Sequence, residues 1–382
     1  MFAFGIFKVI YSPFKAFKEI MQNPKYTGPI LIMILFMAAN TGFLYLRASK
    51  TYYEQTLPKD TDEWTQNKSL WASNTVPNES NDSLSGGYYG NKSIEFSIVN
   101  DTKIWMQINF SEPIICSGVD GYKNVTFWIK AIYPNTTEIM NATLYLFSNQ
   151  TSYFSHDLPK DSFPSNETLW NKLNIQLGPE HGWVGAADWG NITSLKLEFI
   201  WSKNANLTMR LDGLFFRGIF KSALEIVGAS TYPIYTLFSS TMQFFVTWVF
   251  IGGLTFIIAK GLGAKILWRA SLIIIGFALI TLFVQALINV ATIATWPTLN
   301  VPLEFLGGIE GESQIAQNQL FEKITLSSQI NQFAQIAMLV WTIALCTIAV
   351  RLLTEFSWNK SALVAVVAYF IGNMAVNLIM SM

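Results

Sequence analysis

Two periodicities of hydrophobic residues divide this chain. Unbroken apolar runs occupy residues 28–46, 236–259, 270–293, 333–353 and 361–382. Each is close to the roughly 20 residues that a helix needs to cross a bilayer. Backbone amides in lipid must be satisfied within their own segment, so each run is predicted to be a transmembrane helix. Residues 218–382 then form a bundle carrying the last four spans.

Before the first run, residues 1–27 show a different pattern. Ser12 and Pro13 suit an N-cap and a first helical position. Phe14, Phe17, Ile20 and Met21 recur at helical spacing opposite Lys15, Lys18 and Glu19, and Pro24 stops the helix. This predicts an amphipathic helix lying on the inner leaflet. A second amphipathic stretch runs from Ile315 to Phe333.

Between the first two spans the period changes to two. Val125, Phe127, Ile129 and Ala131 alternate with polar or exposed-face residues, as do Leu195, Leu197, Phe199 and Trp201, and Leu207, Met209 and Leu211. Segments 94–99, 104–110, 144–147 and 173–177 read as further strands, punctuated by Gly, Pro, Asn and Asp. Residues 93–217 are thus predicted to form an antiparallel all-β sandwich of jelly-roll type. Residues 47–92 are polar and rich in Asn, Ser and Gly, which predicts a loose stalk. The fold class expected is a polytopic α-helical membrane protein with an inserted β-sandwich.

Composition sharpens this. The chain has 382 residues, of which 51% are hydrophobic and 13% charged, about half the charge of a typical soluble protein. Net charge is zero, which argues against a nucleic-acid partner. Basic residues flank alternate ends of the spans: Lys8, Lys15, Lys18 and Lys25; Lys260, Lys265 and Arg269; Arg351 and Lys360. The positive-inside rule puts these ends in the cytoplasm, with the C-terminus outside. The connection after the third span carries Glu304, Glu310, Glu312 and Glu322 against Lys323, as suits an outer loop.

Thirteen Asn-x-Ser/Thr sequons fall in the segment thereby placed outside: Asn67, Asn78, Asn81, Asn91, Asn100, Asn109, Asn124, Asn135, Asn141, Asn149, Asn166, Asn191 and Asn206. Only Asn359 lies elsewhere, on the inner side, where it is expected to stay unmodified. The two cysteines, Cys116 and Cys346, fall in different compartments and are not expected to pair. Dense sequons without a disulfide lean toward an archaeal cell surface and a plasma-membrane location.

The phrase YSPFKAFKEIMQNPKYTGPILIMIL resembles the lead-in to the first span of the Yip family, five-span membrane proteins named for interacting with Ypt/Rab GTPases. The matching residues are Ser12, Pro13, Phe17 and Pro24. AKGLGAKILWRASLIIIGFAL is similar to the family's Gly-rich basic loop between spans two and three, and EFSWNKSALVAVVAYFIG to its approach to the last span. The family's proline early in span three is missing, and the insertion after span one is a departure. The resemblance implies a non-enzymatic scaffold or adaptor; the GTPase link belongs to eukaryotic members. DWGNITSLKLEFIWSKNANLTMRLDGLFFRG resembles the closing strands of galactose-binding-like jelly rolls, through Trp189, Ile192, Leu195, Asp212 and Phe215.

Candidate chemistry is sparse. Trp183 and Trp189 are candidates to stack on a sugar ring, against the plainer reading that they pack in the core. Asp188 and Asp212 are read as turn caps rather than calcium ligands. Gln285 with Asn289, and Asn373 with Asn377, share helix faces within spans three and five; they suit interhelical hydrogen bonds better than a solute path. No nucleophile elbow, phosphate loop or His-Glu-x-x-His occurs, and neither a metal nor a cofactor is expected. The expected partners are the lipid bilayer, N-linked glycans, and a membrane or envelope protein. Alternative expectations are a surface glycan receptor anchored by the bundle, and a solute transporter.

Overall fold

The computed structural model describes residues 2–84, 86–164, 169–309 and 311–380. Its contacts divide the chain into two compact units. One comprises residues 1–51, 222–299 and 321–382, the other residues 52–221 and 300–320.

The first unit is helical. It begins with α1 (Phe2–Tyr11) and α2 (Pro13–Gln22), with proline at the start of α2 as expected. Then come α3 (Thr27–Lys50), the short α4 (Ala223–Val227) and α5 (Thr231–Gly261). The next long apolar helix is interrupted at Leu279 into α6 (Trp268–Ala278) and α7 (Ile280–Ala294). The 43-residue α8 (Glu312–Thr354) and α9 (Trp358–Met380) complete the set. Five helical stretches among the described residues are long and apolar enough to cross a membrane, and they coincide with the predicted spans. The amphipathic stretch at 315–333 is part of α8 rather than a separate helix, because no Pro or Gly interrupts it.

The bundle core is built by Phe17, Ile32, Phe36, Phe244, Trp248, Ile251, Ile273, Phe277, Leu345 and Cys346. Close approach of backbones shapes it. A Cβ on Gly276 would lie 2.5 Å from the Trp248 indole nitrogen and 2.7 Å from the Pro29 ring. That indole donates to the Leu272 carbonyl at 2.7 Å. Polar links join helices: Asn40 donates to Ser240 at 2.9 Å, and the Thr281 and Thr342 hydroxyls lie 2.6 Å apart.

The second unit is a β-sandwich. Its strands are β1 (Thr51–Leu57), β2 (Trp71–Ser73), β3 (Asn78–Ser80), β4 (Ser93–Ile114), β5 (Asn124–Ile132), β6 (Ile139–Phe147), β7 (Tyr153–Asp157), β8 (Asn171–Gln176), β9 (Val184–Gly185), β10 (Ile192–Ser222) and β11 (Leu299–Val301). Two strands are long enough to serve both layers. The first half of β10 pairs with β6 and with the second half of β4; its second half pairs with β5 and with the first half of β4. Register shifts between Ile200 and Leu207 mark the bend. β7 and β9 extend one layer and β8 the other. Between them lie Phe96, Met106, Phe127, Leu144, Leu195, Leu197, Phe199, Met209 and Leu211, all essentially fully buried.

Residues 47–92 depart from the stalk expectation. The segment begins as the end of α3, then forms β1, β2 and β3, and buries Asp62, Thr65, Trp71, Leu84, Tyr88 and Tyr89. Its apolar residues are spaced too widely for a period to show, yet Trp71, Leu84, Tyr88 and Tyr89 are buried. Residues 300–320 also join this unit. Arg217 of β10 explains how. Its guanidinium sits between Glu54, at 2.6 Å, and Glu304, at 2.7 Å, and all three side chains are nearly buried. Burial alone would raise the Glu304 carboxyl, but Arg217 outweighs it and holds the group at about 2.

Candidate functional site

Along β4, β10 and β6, alternate residues point away from the core, and here these outward positions carry aromatic rings. The strand register lines them up in three rungs. Trp105 lies opposite Glu198, then Thr143 and Asp157; Gln107 opposite Lys196, then Tyr145 and Ser155; Asn109 opposite Ser194, then Phe147 and Tyr153. Neighbouring strands are about 4.8 Å apart and same-face residues about 6.8 Å, so the patch measures roughly 14 Å each way.

Contacts hold the rings in a single sheet-wide layer. Tyr145 and Phe147 are stacked with centroids 6.2 Å apart, and Tyr153 meets each at 5.5 Å. The Lys196 ammonium lies over both Trp105, at 5.4 Å, and Tyr145, at 5.3 Å. Tyr153 is 43% exposed, and the other three rings are half-buried. Polar groups fill the gaps. Gln107 donates to Asn109 at 3.1 Å, and Thr143 donates to Asp157 at 3.2 Å. At one end the face opens into a depression of about 460 Å³ lined by Gln107, Asn109, Phe147, Asn149, Thr193 and Ser194. Apolar ring faces beside hydrogen-bonding groups suit a ligand with C–H faces and hydroxyl edges.

Glu198 lies in the first rung, between Trp105 and Thr143. Burial raises it, but Lys196 at 2.7 Å and Lys103 at 3.0 Å more than offset that and hold it below the ordinary range. A general acid for glycoside cleavage needs the opposite shift.

Trp183 and Trp189 stand elsewhere, at the edge of the core. Trp189 stacks on Phe154 at 4.2 Å and 12°, so one of its faces is taken. Trp183 meets Trp189 edge-on at 5.4 Å, lies 5.0 Å from His156, and donates its indole N–H to Gln176 at 2.8 Å. Sequence reasoning missed Trp105, Tyr145, Phe147 and Tyr153. Their signal was present: aromatics at the outward positions of strands whose inward positions are aliphatic.

Asp188 caps a turn through Gly190, whose amide donates at 2.8 Å. Asp212 is fully buried beside Asp62. Its oxygens meet the amides of Leu84, at 2.7 Å, and Gly213, at 2.8 Å, and the Thr65 hydroxyl at 3.1 Å. Asp62 accepts from Trp64, Thr65 and Gly213. These donors occupy the positions a cation would need. Gly213 adopts φ +62°, and a Cβ there would lie 2.7 Å from the Tyr89 ring. Burial, then repulsion from Asp62, raises Asp212 to about 8; burial raises Asp62 to about 6.

Of the sequon asparagines, Asn166 lies outside the described residues. Asn67, Asn78, Asn81, Asn91, Asn100, Asn109, Asn135, Asn141, Asn149 and Asn206 are exposed, and Asn124 and Asn191 half-buried. In the bundle, Gln285 donates to Asn289 at 2.8 Å along α7. On α9, Asn373 is half-buried and Asn377 exposed. Of the Yip-like motif residues, Phe17 is fully buried, while Ser12 and Pro13 form the α1–α2 junction. Pro24 lies between α2 and α3, and its carbonyl accepts from Arg269 at 3.4 Å.

No protein family matches this chain, and no curated protein does. Solved structures with some likeness include the family 11 carbohydrate-binding module of Clostridium thermocellum in complex with a β-1,3-1,4-mixed-linked tetrasaccharide. It is 14% identical with TM-score 0.26, over 42% of this chain and 94% of that one. Another is an exo-β-agarase, 12% identical with TM-score 0.31; the match spans 42% of this chain and about a quarter of the agarase. A third, the CBM22-1–GH10 part of a Clostridium thermocellum xylanase complexed with xylohexaose, is 12% identical with TM-score 0.25, over 42% and 28% of the two chains.

Proposed function

We propose that this is a multi-pass membrane protein whose sandwich binds carbohydrate chains on the outer face of β4, β10, β6 and β7. The observation that carries the reading is the array of Trp105, Tyr145, Phe147 and Tyr153, interleaved with Gln107, Lys196 and Asp157. A patch about 14 Å wide accommodates two or three sugar rings. In this reading the face works by binding, with Glu198 engaged by Lys196 at 2.7 Å and Lys103 at 3.0 Å.

In this reading the bundle is a Yip-like scaffold in the plasma membrane, with the N-terminus cytoplasmic and the C-terminus outside. The sandwich is a glycosylated surface domain that joins recognition to membrane organisation. Residues 300–320, between the third and fourth spans, belong to the same compact unit as residues 52–221, which supports a common side for both. Charge bias supports placing that side outside.

The test is binding of defined β-glucan and galactan oligosaccharides to the full chain in detergent, by calorimetry. Tyr145→Ala and Tyr153→Ala are each expected to weaken binding about tenfold, as loss of a stacked ring costs roughly 1–1.5 kcal/mol. Trp183→Phe is expected to leave it unchanged. Saturable binding that survives both tyrosine changes places the ligand elsewhere and sinks the reading.

A further inference from the structure

One end of the bundle gathers cations and aromatic rings from three separate chain segments. Lys360 of α9 donates to the Leu262 carbonyl, after α5, at 3.2 Å. Phe14 of α2 lies 5.8 Å from Trp358, and Arg269 of α6 donates to Pro24. These contacts bring together residues 1–27, 260–269 and 351–360, which hold nine basic residues and only two acidic ones, Glu19 and Glu355. Glu19 is already spent on Lys8, at 2.5 Å.

The cations are arranged on aromatic faces. Arg351 lies 4.6 Å over Trp358, Lys360 4.1 Å over Phe356, Lys260 5.4 Å over Phe256 and Lys18 5.9 Å over Phe14. Lys15, Lys18, Lys260, Lys265 and Arg269 are exposed. So are large apolar groups beside them: Phe7 at 48%, Tyr11 at 73%, Phe14 at 38%, Trp268 at 43% and Trp358 at 47%. Meanwhile Ala16 and Phe17 of α2 are buried in the bundle, so the helix is pinned by one face and presents the other.

We propose that this end is a docking surface for anionic phospholipid headgroups. The inference rests on the membrane reading above. An unbalanced set of cations beside exposed rings suits the interface of a leaflet, where rings sit at headgroup depth and lysines reach phosphate. A neutral partner surface offers those cations no counter-charge; anionic headgroups carry the opposite charge and spread across the leaflet. Aromatic contacts hold Lys18, Lys260, Arg351 and Lys360, so less side-chain entropy is lost there on binding. The surface therefore selects anionic over zwitterionic lipid.

The test reconstitutes the full chain in nanodiscs of mixed phosphatidylglycerol and phosphatidylcholine and measures retained lipid by native mass spectrometry. Enrichment of phosphatidylglycerol is expected, with a fall of roughly fivefold or more in Lys15→Gln/Lys18→Gln/Lys265→Gln, and similar loss at high salt. The matching triple Lys→Arg variant is expected to retain the enrichment. Equal retention in the Gln variant, or no preference in the parent protein, overturns the proposal while leaving membrane insertion intact. A chain extracted from vesicles by alkaline carbonate overturns the membrane reading and this proposal together.

Discussion

Asp62 and Asp212 are buried side by side and share one threonine, whose hydroxyl lies within hydrogen-bond reach of both, 3.1 Å from Asp212. Burial raises both carboxyls, and repulsion from Asp62 raises Asp212 further. Both carboxyls titrate above an unfolded aspartate, Asp62 near 6 and Asp212 near 8. Protons are therefore bound more tightly in the folded state. The stabilisation is full below the unfolded value of about 3.8 and is lost as pH rises through about 6 and then 8. Thermal unfolding of the sandwich, followed by tryptophan fluorescence from pH 4.5 to 9, is expected to show a midpoint that falls with pH. Asp212→Asn is expected to flatten that slope; an unchanged slope refutes the raised Asp212 carboxyl. None of this was legible in the sequence. Asp62 and Thr65 lie in a stretch whose composition reads as solvated, and burial of a polar residue leaves no periodic trace.

At the scale of elements, the sequence carried the strands better than their lengths. Alternation at 94–99 and 104–110, and again at 195–201 and 207–211, marked four short strands. In the structure they are halves of β4 and β10, continuous through a bend whose extra residues break the period. The five apolar runs were legible because a span needs length more than pattern. The docking of residues 300–320 was not, because it depends on an ion pair between distant residues. Arg217 makes a sharp prediction here. Arg217→Met leaves Glu54 buried without a cation and Glu304 with only the more exposed Lys172, at 3.2 Å, a loss of about 3–5 kcal/mol. Hydrogen exchange is expected to rise first in 300–306 and in β1. Adding Glu54→Gln and Glu304→Gln to the same variant is expected to recover a large part of the loss. If the triple variant is as unstable as Arg217→Met alone, the damage comes from lost packing and not from stranded charge.

For the whole molecule, two unrelated features point to one topology, and this makes it testable by a single labelling experiment. Sequons crowd the segment between the first two helices, whereas basic residues crowd the end formed by residues 1–27, 260–269 and 351–360. The first feature depends on a glycosylating enzyme reaching the chain, the second on the charge asymmetry of membrane insertion. They have no common cause except sidedness. Both native cysteines are buried, so an engineered surface cysteine is the accessible thiol of this chain. Lys203→Cys, on an exposed stretch of the sandwich, is expected to react with a membrane-impermeant maleimide in intact cells. Lys265→Cys, equally exposed but at the basic end, is expected to react only after permeabilisation. Glycopeptide mapping of the same material is expected to find sugar on asparagines such as Asn67 and Asn149 and none on Asn359. Labelling of Lys265→Cys from outside contradicts the proposed topology, and with it the cytoplasmic placement proposed for the basic surface and the external placement proposed for the sandwich.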